Sequence, residues 1–238
     1  MCFVAEGMSA NLTTIVPGLV VNAGRMEYSP AWDLQKALVE QRRADRISDV
    51  LLLLEHPPVY TIGRQGKSNN LLAPAERLTA LGAEVVSIDR GGDVTFHGPG
   101  QLVGYPILDL RPRGMLPVRY VRALEEALIA ALGDLSVEAT RREGFTGVWT
   151  QRGKVAAIGV RIARGITSHG FALNVTTDLS WFGHIVPCGL TEPVTSLAEL
   201  LPAPPPWGAV CAAVTTRMGE RFGVEWREVS LDQLRSLV

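Results

Sequence analysis

Apolar residues recur with a helical period in three stretches of this chain and run together without a break in a fourth. Ala31, Leu34 and Leu38, at i, i+3 and i+7, form one apolar face. Ser29-Pro30 ahead of them predicts the helix start, with Ser as N-cap and Pro in the first turn. Pro117 to Leu132 predicts a strong amphipathic helix, with Val121, Leu124, Leu128 and Leu132 on one side and Gly133 just beyond it. Trp207, Val210, Cys211 and Val214, at i, i+3, i+4 and i+7, predict a core-facing helix in which Cys211 is a small buried hydrophobe. Asp49 to Glu55, with four consecutive leucines, predicts instead a buried strand ending at His56-Pro57-Pro58. Glu84 to Asp89 and Leu102 to Leu108 predict strands on either side of a glycine-rich segment. Gly147 to Trp149, Val155 to Ile162 and Thr167 to Val175 predict further strands, followed by an irregular stretch through Pro187-Cys188-Gly189. Strands and helices mix without a regular βαβ alternation, so an α+β fold with a mixed or antiparallel central sheet is expected.

No repeat or low-complexity block divides the chain, and Pro202 to Pro206 reads as a connection between helices, so residues 1–238 are expected to form one domain. No apolar run is long enough to span a bilayer, and the N-terminus lacks the basic start and compact apolar stretch of a signal peptide. A cytoplasmic protein with no membrane partner is therefore expected. A net charge of -1 gives no global attraction to nucleic acid, and none is expected as a partner. Cys2, Cys188 and Cys211 are odd in number and share no short spacing, which argues against a disulfide framework and a zinc ribbon. His184 and Cys188 are four apart, but Pro187 interrupts any helix carrying both and no cluster supplies further ligands. Neither a metal nor a cofactor is expected.

The densest chemistry lies in Arg90-Gly91-Gly92-Asp93-Val94-Thr95-Phe96-His97-Gly98-Pro99-Gly100-Gln101. Gly91, Gly92, Gly98 and Gly100 permit positive φ and close backbone approach to a ligand, while Pro99 stiffens the turn. The segment offers neither the Gly-Lys-Ser/Thr nor the helix start of a phosphate-binding P-loop. Cys188, between Pro187 and Gly189, lies outside any periodic element, where turn geometry rather than packing presents its thiol. A thiol with a pKa of about 8.5 is only a few per cent thiolate at neutral pH, so a catalytic Cys needs a nearby cation or base. His97, His169, His184 and Lys154 are the candidates, and spacing alone does not choose among them.

Several blocks taken together closely resemble the octanoyl-acyl carrier protein:protein N-octanoyltransferase family, also called lipoate biosynthesis protein B. They are Leu54 to Arg64, the Arg90 to Gln101 segment with Leu102-Val103-Gly104-Tyr105-Pro106, Gly147-Val148-Trp149, Lys154 to Arg161, His169 to Asn174 and Pro187-Cys188-Gly189. The resemblance runs in order from about Val21 to Leu197 and is weak before Val20 and after Pro202. It implies the biotin/lipoate protein ligase fold, a mixed central sheet covered by helices. It also implies transfer of an octanoyl group from octanoyl-acyl carrier protein to a specific lysine on the lipoyl domains of 2-oxoacid dehydrogenases and the glycine cleavage H protein.

Carried over by position, the resemblance makes Cys188 the acyl-accepting nucleophile and Lys154 the group that lowers its pKa. It makes Arg90, Gly91, Gly92, Asp93, Val94, Thr95, Phe96 and His97 a substrate-binding block, together with Ala157, Ile158, Gly159, Gly170, Phe171 and Ala172. Small residues in these blocks predict a slim apolar channel for the acyl chain. A monomer is expected. An ATP-dependent lipoate or biotin ligase on the same fold and a non-catalytic lipoyl-domain binder are the rivals, and Pro187-Cys188-Gly189 favours transfer.

Overall fold

The run of leucines after Asp49 is apolar without alternation because its strand is buried on both faces. The computed structural model describes residues 15–66, 70–185 and 193–238. In chain order the first elements are β1 (Val16–Arg25), α1 (Tyr28–Arg43), β2 (Asp49–Glu55), β3 (Val59–Ile62), α2 (Ala75–Ala80) and β4 (Glu84–Ser87). Then come β5 (Val94–His97), β6 (Gln101–Ile107), α3 (Pro117–Asp134), β7 (Thr140–Arg142), β8 (Phe145–Thr150), β9 (Gly153–Ala163) and β10 (Ile166–Asn174). A short 3₁₀ turn (Leu179–His184) is followed by α4 (Leu197–Leu200), α5 (Trp207–Phe222), β11 (Val224–Glu228) and α6 (Leu231–Arg235).

Eight strands form a mixed sheet in the order β11-β1-β2-β6-β10-β9-β8-β7. β1 runs parallel to both its neighbours, and the other pairings are antiparallel. Along β2, Leu51 and Leu53 pack with α3 and α5 through Leu124, Leu128, Val210 and Val214. Val50, Leu52 and Leu54 pack on the other face with Ala31, Leu34 and Leu38 of α1. The helix periods and the strand's unbroken run are two views of one three-layer arrangement, helix on sheet on helix. Leu52→Ala, at a fully buried position, is expected to cost about 3 kcal/mol. Urea unfolding reads this as a lower midpoint, and an unchanged midpoint would contradict the two-faced burial of β2.

A second sheet, β4-β3-β5, was not anticipated. The strands expected to flank the glycine-rich segment do so, but β4 belongs to this small sheet and β6 to the large one. β3 pairs with β4 in parallel and with β5 antiparallel, so Gly98-Pro99-Gly100 carries the chain from one sheet to the other. Of the four glycines noted there, only Gly92 and Gly100 adopt positive φ.

Two helix ends also differ from expectation. Ser29 does not cap α1, because the helix begins at Tyr28 with Glu27 in the N-cap position; its hydroxyl donates to the Glu84 carboxylate at 3.3 Å. α3 passes through Gly133 to Asp134, and Ser136, at φ 62°, makes the left-handed turn instead. Among the described residues no helix is long and apolar enough to cross a membrane.

Candidate active site

Both sheets contribute to a cavity of about 570 Å³. The small sheet and its approach supply Arg90 to Thr95 and His97, while β9 supplies Ala157 to Val160 and β10 supplies His169 to Ala172. The cavity brings together every substrate-binding candidate named from the sequence except one. Phe96 packs in the core of the small sheet, stacked on Trp181 with ring centroids 5.3 Å apart and beside Tyr60. Alternation along β5 explains this, since Thr95 and His97 flank it on the cavity side.

The glycine-rich segment reaches β9 through a close approach. Gly91 N–H donates to the Val160 carbonyl at 2.9 Å. A Cβ at Gly159 would lie 3.0 Å from Arg90 Cδ and 3.3 Å from the Gly91 carbonyl oxygen, so a larger residue there would push the segment off the strand. Arg90 is held beneath it, Nη2 donating to the Thr61 carbonyl (2.8 Å) and hydroxyl (2.9 Å) and Nη1 to the Gly91 carbonyl (3.0 Å). The cavity wall is apolar in part and polar in part. Val121, Phe145, Ile158, Phe171, Phe182 and Val194 supply apolar wall, and Arg90, Asp93, His97, Lys154 and His169 supply polar groups.

Lys154 owes its direction to an irregularity in β9. Val148 pairs with Ala156 and Trp149 with Lys154, so Val155 is an extra residue and the strand bulges there. The bulge sets Lys154 opposite Trp149 on one face, with Nζ 4.7 Å from the indole centroid. The Lys154 backbone also fixes the chain that returns from the Cys188 region. Its N–H donates to the Pro193 carbonyl at 2.9 Å, and its carbonyl accepts from Thr195 N–H at 3.0 Å.

Cys188 itself lies outside the described residues, as does Cys2. The described chain on both sides of 186–192 borders the cavity, through Phe182 before it and Val194 after it. In the chain Cys188 follows Ile185 by three positions. Ile185 is buried and bridges Leu71.

The histidines are poor candidates for the cation a thiolate needs. His97 Nδ1–H donates to Gln101 Oε1 at 2.8 Å, because the Gln101 amide nitrogen is committed to the Asn174 Oδ1 at 2.9 Å and the Phe96 carbonyl at 3.3 Å. His56 Nδ1–H donates to the Met26 carbonyl at 2.7 Å, which leaves Nε2 to accept from the Tyr105 hydroxyl at 2.7 Å. Burial pushes His56 down to about 4 and His97 to about 3, so both rings are neutral at pH 7. His169, in a left-handed backbone conformation at φ 56°, donates from Nε2 to Asp89 Oδ1 at 2.8 Å. Burial lowers its pKa too, against the pull of the Asp89 carboxylate. His184 is bonded to the Tyr60 hydroxyl at 2.9 Å rather than placed on the cavity wall.

Neutral buried imidazoles make stability depend on pH. Between about pH 6.5 and the depressed values the unfolded chain binds more protons than the folded one, so stability is present at neutral pH and falls on acidification. Each ring is expected to contribute a loss of up to about 1.4 kcal/mol per pH unit in that window. Urea unfolding from pH 7 to 5 checks this, with His97→Gln flattening the dependence. Equal slopes in the two proteins would contradict the neutral His97.

Sequence reasoning missed Tyr28, Trp149, Phe145, Phe182 and Val194 as cavity residues. Trp149 stood within a recognised block, but Tyr28 and Val121 come from the helices, where the period marks a core face and not a cavity.

Residues 27–219 match the lipoyl protein ligase A/B catalytic domain. The octanoyltransferase of Koribacter versatilis is 55% identical over 188 residues, covering 76% of this chain and 75% of the relative. That of Acidobacterium capsulatum is 50% identical over 236 residues, covering 92% and 96%. Among solved structures, lipoate-protein ligase A bound with ATP superimposes with a TM-score of 0.72 at 14% identity, covering 94% of this chain and 92% of that one. A bi-partite lipoate protein ligase from Thermoplasma acidophilum gives 0.69 at 15% identity, covering 93% and 90%. Both share the α+β fold, a mixed sheet flanked by helices.

Proposed function

Because this chain belongs to the lipoyl protein ligase A/B catalytic-domain family and is an octanoyltransferase, we propose that it works through a Cys188 thioester. The donor is octanoyl-acyl carrier protein and the acceptor a lysine of a lipoyl domain, as in 2-oxoacid dehydrogenases and the glycine cleavage H protein. The enzyme acts in the cytoplasm as a monomer, with the whole chain as one catalytic domain. The observation that carries the chemistry is the position of Lys154. Its side chain lines the cavity while its backbone holds Pro193 and Thr195, the return of the segment bearing Cys188.

In the first step the Cys188 thiolate attacks the thioester carbonyl. The new carbon–sulfur bond forms as the carrier's breaks, and the departing carrier thiolate takes a proton from the Lys154 ammonium. In the second step the acceptor amine, entering unprotonated, attacks the enzyme thioester. Neutral Lys154 takes the surplus proton from the nitrogen as Cys188 leaves as thiolate, which restores the starting charge state. Thioester exchange is roughly isoenergetic and thioester to amide runs downhill, so neither step calls for ATP. Arg90 to Thr95, His97, Ala157 to Gly159 and Gly170 to Ala172 bind the substrate, and Phe96 supports the segment from the core of the small sheet.

A donor competition tests this reading. Octanoyl-acyl carrier protein should label a lipoyl domain in single turnover without nucleotide. Labelling with free octanoate and ATP but not with the carrier thioester would turn the chain into a ligase.

A further inference from the structure

We propose that Trp149 is a positioning residue for Lys154, its indole face holding the ammonium at the cavity wall. The inference rests on the Lys154–Cys188 reading above. Lys154 Nζ lies 4.7 Å from the indole centroid, and Trp149 is 4% exposed while Lys154 is half-buried, so one side of the contact is shielded from water. Arg142 brings a second cation to the same ring at 5.1 Å, and to Phe145 at 4.7 Å. Phe145 braces Trp149 edge-on, with centroids 6.0 Å apart at 71°.

Trp149 is a costly choice for packing alone. Its buried Nε1–H has no hydrogen-bond partner among the described residues, so a phenylalanine or leucine would fill the site without an orphaned donor. What the indole supplies that they supply less well, or not at all, is a broad negative face. The bulge at Val155 is what sets Lys154 opposite that face.

The charged groups on the elements packed around the pair are few. Arg141, Arg142 and Glu143 stand on the β7–β8 hairpin, where Arg141 pairs with Glu126 at 3.1 Å. On α3, Glu125 accepts from Gly147 N–H at 3.0 Å and pairs with Arg122 at 2.8 Å. Arg152, in the β8–β9 turn, donates to the Glu199 carbonyl. Residues 193–196 carry no charge, Arg90 and Asp93 face the same cavity, and Cys188 and Glu192 lie outside the described residues.

The test is the pH dependence of Cys188 alkylation by iodoacetamide in the full chain, read by peptide mass spectrometry to separate it from Cys2 and Cys211. Trp149→Leu is expected to raise the midpoint by about half a unit, roughly threefold slower alkylation at pH 7. Lys154→Met should raise it at least as far, and Trp149→Phe, which keeps a weaker ring face, should fall between wild type and Trp149→Leu. A wild-type midpoint in Trp149→Leu with a displaced Lys154→Met would overturn the inference and leave the Lys154–Cys188 reading standing. Equal displacement in Trp149→Phe and Trp149→Leu would also overturn it, as a volume effect. A wild-type midpoint in Lys154→Met would sink the underlying reading itself.

Discussion

Cys188→Ala is expected to reduce octanoyl transfer to a lipoyl domain by roughly 10⁴-fold or more, without lowering the unfolding midpoint. The size follows from the chemistry. Without a sulfur nucleophile the acceptor amine would have to attack the carrier thioester directly, with donor and acceptor proteins at one cavity together. The loss should appear in kcat and in single-turnover acylation alike, because no covalent intermediate can form. Cys211 cannot substitute, since it is buried in α5 and its thiol is pushed up to about 11 by desolvation. A variant that retained transfer within tenfold of wild type would place the nucleophile elsewhere.

Lys154→Ala is expected to slow both steps, but unequally. Acylation at pH 7 should fall by roughly tenfold to a hundredfold, the thiolate fraction lost when a neighbouring cation no longer lowers the thiol's pKa. Raising the pH should recover much of that loss, because hydroxide then makes the thiolate. Transfer to the amine should fall further, by about 10² to 10⁴, and recover less, since the variant also lacks a base for the nitrogen's surplus proton. Separate pre-steady-state measurements of the two steps across pH 6 to 9 check this. Equal losses with no recovery at high pH would assign the Lys154 side chain a structural role, through its packing on Trp149.

The sequence disclosed elements whose pattern is local. The faces of α1, α3 and α5 and the unbroken run of β2 lie where period and length placed them, because each is buried against the large sheet. Pairing over long separations left no such trace. β11 joins β1 in parallel from the far end of the chain, with Val224 its buried residue, and a strand of that kind has no apolar alternation to read. The small sheet was hidden for a related reason: β4 was expected as a strand, but its partners β3 and β5 are four residues each, too short for an apolar pattern to reveal the pairing.

The site was legible in composition more than in arrangement. Glycines in the Arg90 segment, at Gly159 and at Gly170 announced close approach, and the structure brings all three to one cavity. That Trp149 faces Lys154 depends on one extra residue in a strand, which no periodicity of side chains reports. Tyr28 was likewise missed, since it stands just ahead of the apolar period that marked α1.

The central claim is a covalent octanoyl group on Cys188. The most direct measurement is intact mass of the wild-type chain and Cys188→Ala after mixing with octanoyl-acyl carrier protein in the absence of acceptor. The account predicts one added octanoyl group on wild type, released by hydroxylamine, and none on Cys188→Ala. An unmodified wild-type chain that still transfers octanoate to a lipoyl domain, or the same adduct on both proteins, would contradict it.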